Sequence, residues 1–179
     1  VCRSALLLAA LLPFAAWAQS YRIDPDRTYA EFEVEHLGVF RAHGRFENVT
    51  GSLVYDAGAR TGSIDLAISV ASVATGWDSR DSFLRGTTMF DAAQFPRMRF
   101  VSKRMEFEGG RVARVEGELT LRDVTKPVTL TVRTIHCDGN ACVAEASGAL
   151  RRREFSMDAW WPLIGDEVQL WFRLAAVRD

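Results

Sequence analysis

Apolar and polar residues alternate with a period of two along much of this chain. Ala30, Phe32, Val34 and His36 share one face of an extended segment, and Glu31, Glu33 and Glu35 share the other, because successive side chains of a strand point to opposite sides. The same rhythm returns three times. It places Ile64, Leu66, Ile68 and Val70 together in residues 63–70. It does the same for Val128, Leu130 and Val132 in residues 126–133, and for Val168, Leu170 and Phe172 in residues 167–174. Residues 21–24, 44–55, 98–107, 111–121 and 142–152 read as further strands of less regular pattern. Asp56-Ala57-Gly58, Gly109-Gly110 and Asp138-Gly139 supply turns between several of them. Eight strands result, or nine if the first is separated from the second at Pro25. Antiparallel strands with one apolar face predict an all-β sandwich or barrel.

The rhythm stops between Ser72 and Pro96. There the segment from Trp77 to Gly86 predicts a short helix, capped by Asp78 or Ser79 and ended by Gly86. Trp77, Arg80, Asp81 and Leu84 would share one side of it, and Met89, Phe90 and Phe95 follow. A connection this long on a small β protein is either a lid over one end or a plug that completes the core.

The first eighteen residues follow a different logic. Arg3 precedes an apolar run over residues 5–16, and Ala16-Trp17-Ala18 is a small-x-small cleavage site. This pattern predicts a secretory leader cut after Ala18, leaving residues 19–179 as one mature domain in the periplasm or outside the cell. The apolar run is too short to span a bilayer, which takes about 20 residues.

Charge and composition narrow the function. The 22 basic and 23 acidic residues leave a net charge of −1, so no excess of cations exists to follow a nucleic-acid backbone. Cys137 and Cys142 flank the turn Asp138-Gly139-Asn140-Ala141 between two strand-like segments. Cross-strand partners lie within reach of a disulfide, and an exported chain favours one. No nucleophile elbow, metal-binding helix or phosphate loop occurs, and no metal or cofactor is expected. His36 sits on an apolar strand face, where a hydrogen-bonded structural role is expected. The run Arg151-Arg152-Arg153 reads as a solvated strand end, with an anionic head group at a barrel mouth as the sharper reading.

Ordered motifs add a resemblance. Tyr21-Arg-Ile-Asp24-Pro25 is followed by Phe32-x-Val34-x-His36-Leu37-Gly38, Gly44-x-Phe46 and Gly51. Then come Ser72-Val73-x-Thr75, Arg80-Asp81-x-x-Leu84-Arg85, Met89-Phe90-Asp91 and Phe95-Pro96-x-x-x-Phe100. Gly117-x-Leu119-Thr120, Arg122-Asp123-Val124-Thr125-Lys126-Pro127 and Gly165-Asp166-x-Val168 complete the set. In order and spacing the mature chain resembles the YceI-like family of secreted, polyisoprenoid-binding proteins. The resemblance implies an antiparallel, eight-stranded, lipocalin-like barrel with one or two short helices. It also implies an elongated apolar pocket for an isoprenoid chain, and a binding protein rather than an enzyme. The chain departs from the family pattern at Arg27-Thr28 and at Arg152-Arg153-Glu154-Phe155-Ser156, and Trp160-Trp161-Pro162 looks like a local addition; these changes touch ligand identity more than fold.

Inward positions of the expected strands nominate Phe32, Val34, Ile64, Leu66, Ile68, Phe100, Leu119, Leu130, Val132, Leu170 and Phe172 as pocket lining, against the alternative of plain barrel core. The irregular segment nominates Trp77, Arg80, Phe83, Leu84, Arg85, Met89 and Phe90 as mouth or lid. Arg80 and Arg85 would meet a polar head group, unless Arg80 pairs with Asp78 or Asp81. The leading functional expectation is a carrier or scavenger of an isoprenoid lipid, such as a quinone or polyprenyl phosphate. Two other classes are a small secreted enzyme at the barrel mouth, with His36, His43 and Asp81 as its candidates, and a filled barrel that binds another protein.

Overall fold

The computed structural model describes residues 18–179, so the expected leader lies outside the described residues except for Ala18. Eleven strands appear in chain order. β1 spans Gln19–Ile23, β2 Tyr29–His36, β3 Phe40–Phe46, β4 Val49–Asp56, β5 Thr61–Ser69 and β6 Val73–Ala74. After helix α1, Asp78–Arg85, come β7 Arg97–Glu108, β8 Arg111–Leu121, β9 Val124–Cys137, β10 Ala141–Arg151 and β11 Ile164–Arg178. Short 3-10 turns occupy Val70–Ser72 and Arg152–Phe155. All pairings are antiparallel, and the sheet closes into an eight-stranded barrel.

Eleven segments make eight staves because three staves are bent. β11 pairs with β10 along one edge; its other edge takes β2 first and then β1. β3 and β4 share the next stave, interrupted at Glu47-Asn48, and β5 and β6 share the third. Thr28 is buried where the chain leaves β11 between β1 and β2. Its hydroxyl donates to Ala175 O at 3.1 Å and accepts from Ala175 N at 2.9 Å. A side chain thus replaces the ladder partner that the bend removes. The departure at Arg27-Thr28, expected to touch ligand identity more than fold, thus supplies a contact that shapes the bend.

The described closed end gathers three hairpins, β4–β5, β7–β8 and β9–β10. Cys137 and Cys142 stand opposite each other across the last of these, with Cα atoms 4.1 Å apart, and form the expected disulfide. Asp138 tightens the turn by accepting from Asn140 N and Ala141 N. A cleft of about 580 Å³ with a mixed lining, Tyr55, Asp56, Arg111, Ile135 and His136 among it, indents this end, and beneath it the core is closely packed. Tyr21, Ile23, Leu53, Leu66, Val115 and Leu130 are buried, and the Phe100 ring lies so close over Gly117 that a Cβ there would stand 2.4 Å from it. Gly51 has φ +142, and a Cβ on it would meet Asp65 O at 2.0 Å, so β4 and β5 can approach only with glycine there.

The opposite end carries α1, the β8–β9 turn, the β2–β3 turn and residues 152–163. Helix α1 forms within the expected segment and stops at Gly86, but its capping residue is Trp77, with no side-chain cap bond. Asp78 lies inside the first turn instead, where its charge suits the helix dipole. Arg122 and Asp123 both have positive φ, 51° and 58°, in the two-residue turn joining β8 to β9. The Arg122 guanidinium donates to Ser156 O at 2.7 Å and lies over the Phe95 ring. It ties the segment after α1 to the segment after β10. Among the described residues no helix is long and apolar enough to cross a membrane.

Candidate ligand pocket

An apolar cavity of about 90 Å³ lies inside the barrel beneath α1. Its walls come from β2, β5, β7, β8, β10 and β11, and residues after α1 cover it. Phe32, Val34, Ile68, Leu119, Leu170 and Phe172 line it, as do Leu84, Met89 and Phe90. Several of these inward residues, Val34, Leu170 and Phe172 among them, are only half-buried although they face the barrel interior. Their residual exposure is the surface of the cavity. An outer cleft of about 380 Å³ adjoins it, lined by Trp77, Arg80, Phe83, His36, His43 and Ala42 among others. Phe32, Val34, Leu84, Met89 and Ile164 line both spaces and form the partition between them.

The remaining nominated positions lie elsewhere. Leu66, Phe100 and Leu130 are buried in the solid half, and Ile64 and Val132 pack against it. Arg85 lines neither space; its guanidinium reaches Val73 O at 3.4 Å. Arg80 forms no ion pair with Asp78 or Asp81. It donates to Thr75 Oγ1 and Thr75 O, both at 2.9 Å, and its guanidinium lies 5.4 Å from the Trp77 ring centre. Asp81 is buried and accepts from Thr75 N at 2.8 Å and from the Thr75 hydroxyl. Thr75 thus holds both helix residues, and α1 is pinned to the end of β6. An aromatic cluster under the helix, Phe32, Phe46 and Phe90, has ring centres 5.3–6.4 Å apart.

Sequence reasoning missed three contributors. Met98 and Met157 line the inner cavity beside Met89. Three unbranched, polarizable side chains make a wall that reshapes at low cost. Arg152, read as part of a solvated run, is only 2% exposed. Its guanidinium donates to the carbonyls of Met157, Ala159, Ile164 and Gly165, and it also borders the cavity. Burial pulls its pKa down, opposed by the nearby charges of Asp166 and Asp158. Arg151 and Arg153 are exposed as expected. The signal that singles out Arg152 is the alternation of β10 running on past its end, which turns every second residue inward.

Of the catalytic candidates, His36 and His43 both border the outer cleft, while Asp81 is buried against Thr75. His36 is exposed at the end of β2, not enclosed in a core, and His43 Nδ1 lies 3.2 Å from Glu33 Oε2 on the outer face. Among the described residues no three of His, Cys, Asp and Glu gather closely enough to hold a metal ion.

The chain is a closed antiparallel barrel with an apolar cavity and an adjoining cleft beneath α1. Residues 21–176 match the YceI-like domain, and the chain belongs to that family. It is 30% identical over 173 residues to the UPF0312 protein plu2095 of Photorhabdus laumondii, covering 92% of this chain and 90% of that one. Among solved structures, BcnA of Burkholderia cenocepacia superposes with a TM-score of 0.77 at 25% identity, over 87% of this chain and 99% of that chain. A domain from Saccharophagus degradans, described as polyisoprenoid binding and implicated in plant cell wall breakdown, shares the fold. Its TM-score is 0.71 at 18% identity, over 90% of this chain and 99% of its own.

Proposed function

We propose that this protein holds an isoprenoid-type lipid, such as a quinone or polyprenyl phosphate, in the upper half of the barrel, as a periplasmic carrier or scavenger. The observation that carries this reading is the apolar inner cavity adjoined by a largely apolar outer cleft at the α1 end of the barrel, whereas the cleft at the opposite end has a mixed lining that includes Asp56, Arg111 and His136. The polyisoprenoid-binding description of the Saccharophagus degradans domain agrees with it. The disulfide suits an oxidising compartment, as the leader expected over residues 1–18 also does.

Volume sets how the ligand enters. The inner cavity of about 90 Å³ is smaller than the ~150 Å³ apolar void that takes up a benzene molecule. A long chain therefore fits only when the partition yields and the two spaces merge. Met89 is the side chain suited to yield, since it lines both spaces and can change rotamer without exposing a polar group. Recognition on this scheme is by length and flexibility of an apolar tail, with Arg80 at the cleft available to a head group. The His43–Glu33 pair stands at the rim of the cleft with His43 largely exposed, whereas the enclosed part of the lining is apolar, which favours binding over an enzyme.

Calorimetric titration of the delipidated protein with isoprenoid quinones of increasing tail length tests the proposal. Saturable binding that tightens with each added isoprene unit supports it. Equal affinity for compact polar molecules, or no binding at any tail length, overturns it.

A further inference from the structure

We propose that the open end of the barrel docks on a lipid bilayer, so that the ligand passes between membrane and cleft without crossing water. The inference rests on the lipid-binding reading but is carried by a separate observation, the distribution of exposed apolar side chains. Among the described residues, every large apolar side chain left exposed belongs to one of three tips at this end. The β2–β3 turn presents Leu37, Val39 and Phe40, with Val39 76% exposed. Helix α1 presents Phe83 in its last turn and Trp77 at its N-cap. The approach to β11 presents Trp160, Trp161 and Leu163.

The tips are joined around the cleft. Leu37 N donates to Leu163 O at 2.7 Å, linking the first tip to the third. The Phe83 and Trp160 rings meet edge to face at 6.1 Å, linking the second to the third. Trp77 and Phe83 also line the outer cleft itself. Eight aromatic or aliphatic side chains, 37–76% exposed, together leave roughly 800 Å² of apolar surface spread over the three tips.

The chemistry of the rim selects the partner. Two of its tryptophans carry a guanidinium on the ring face. Arg80 lies 5.4 Å from the centre of Trp77, and Arg153 lies 5.0 Å from that of Trp161. Indole rings settle at the headgroup level of a bilayer, and guanidinium groups there meet lipid phosphates. Asp78, Asp158 and Asp166 lie among these cations, and Asp158 pairs with Arg153 at 3.2 Å. The rim as a whole therefore has little net charge, and insertion of apolar tips is what holds it. A flat partner protein would need one continuous face, whereas these are separate projections around an opening. A second copy placed mouth to mouth would shut the cleft. A bilayer accommodates the projections and leaves the cleft in contact with lipid.

The test uses the processed, delipidated protein and vesicles of phosphatidylcholine, with and without added phosphatidylglycerol. Three of the four tryptophans that remain after cleavage at Ala18 lie on the tips, so fluorescence reports on them directly. Co-sedimentation with both vesicle types, a blue-shifted emission and quenching by acyl chains brominated near the headgroup are expected. The pairs Val39→Ser with Phe40→Ser, and Trp160→Ser with Trp161→Ser, lie outside the pocket lining. Each pair should weaken vesicle partitioning by roughly tenfold or more and leave binding of a water-soluble short-chain isoprenoid analogue unchanged. Absence of sedimentation, adsorption only to anionic vesicles with loss in salt, or a blue shift that follows protein concentration and dimer formation in ultracentrifugation would each overturn docking. The soluble analogue separates the two readings: uptake of it without vesicle binding removes docking alone, and vesicle binding without uptake removes the lipid pocket alone.

Discussion

Replacing Val168 by tryptophan is expected to empty the barrel of ligand and spare the fold. Val168 stands on β11 opposite Val34 and Leu150, and all three side chains line the inner cavity. An indole at this position has a void to enter. The same change at Leu66, which is 2% exposed and lies outside the cavity lining, has none. Forcing extra volume into a solid core costs about 1–3 kcal/mol, and each kcal/mol moves the melting temperature of a domain this size by ~2–4 °C, so Leu66→Trp should melt roughly 2–12 °C lower. Val168→Trp should melt within about 2 °C of the parent by the same conversion. Thermal unfolding followed by circular dichroism gives both numbers. Titration with a long-chain isoprenoid quinone then gives ligand capacity, which should vanish in Val168→Trp. Equal destabilisation by the two substitutions would mean that the upper half is as solid as the lower, and the cavity argument would fail.

Other expectations follow from individual contacts. Changing both Cys137 and Cys142 to serine should cost roughly 2 kcal/mol, the loop-closure value for so short a ring, and leave the barrel folded, as a denaturant titration would show. Arg152→Met should leave the carbonyls of Met157, Ala159, Ile164 and Gly165 without their donor and cost at least ~3 kcal/mol; stability equal to the parent would refute the role given to this buried cation. Asp81→Ala should free Thr75 N and its hydroxyl and let α1 loosen, seen as faster proteolysis near Arg85 with the far end of the barrel unchanged. The hydrogen bond from Arg99 holds the Asp65 carboxyl below its ordinary value of 3.8. A depressed carboxylate stabilises the fold above that ordinary value and loses its contribution as pH falls through the folded-state value. A carbon-detected NMR titration should find Asp65 ionising below 3.8 in the parent and close to the ordinary value in Arg99→Gln.

Much of the barrel is written in period-two patterns whose apolar face has only one place to go. The segments around Phe32, Leu66, Leu130 and Leu170 form strands with those residues inward, and the Asp138-Gly139 turn brings Cys137 and Cys142 into register. The strand expected over residues 44–55 proved to be two, because at Glu47-Asn48 the backbone leaves the ladder to bond Ser69 and Ser72. β6 has two residues, too few for any rhythm. The division of the interior into solid and hollow halves was not legible, since it depends on what lies across the barrel. Phe100 and Leu119 are cross-strand neighbours, yet the Phe100 ring folds over Gly117 while Leu119 faces a void. Arg152 was hidden by its neighbours Arg151 and Arg153, which do face solvent. Trp160-Trp161-Pro162, set apart as a local addition, found its place only once the three exposed tips met at one end.

The most direct test of the lipid-binding account is organic extraction and mass spectrometry of the protein isolated from its own host. The account predicts a long-chain isoprenoid lipid at close to one molecule per chain in the parent and its loss from Val168→Trp. Protein from its own host that yields no lipid, or a lipid retained undiminished by Val168→Trp, would contradict it.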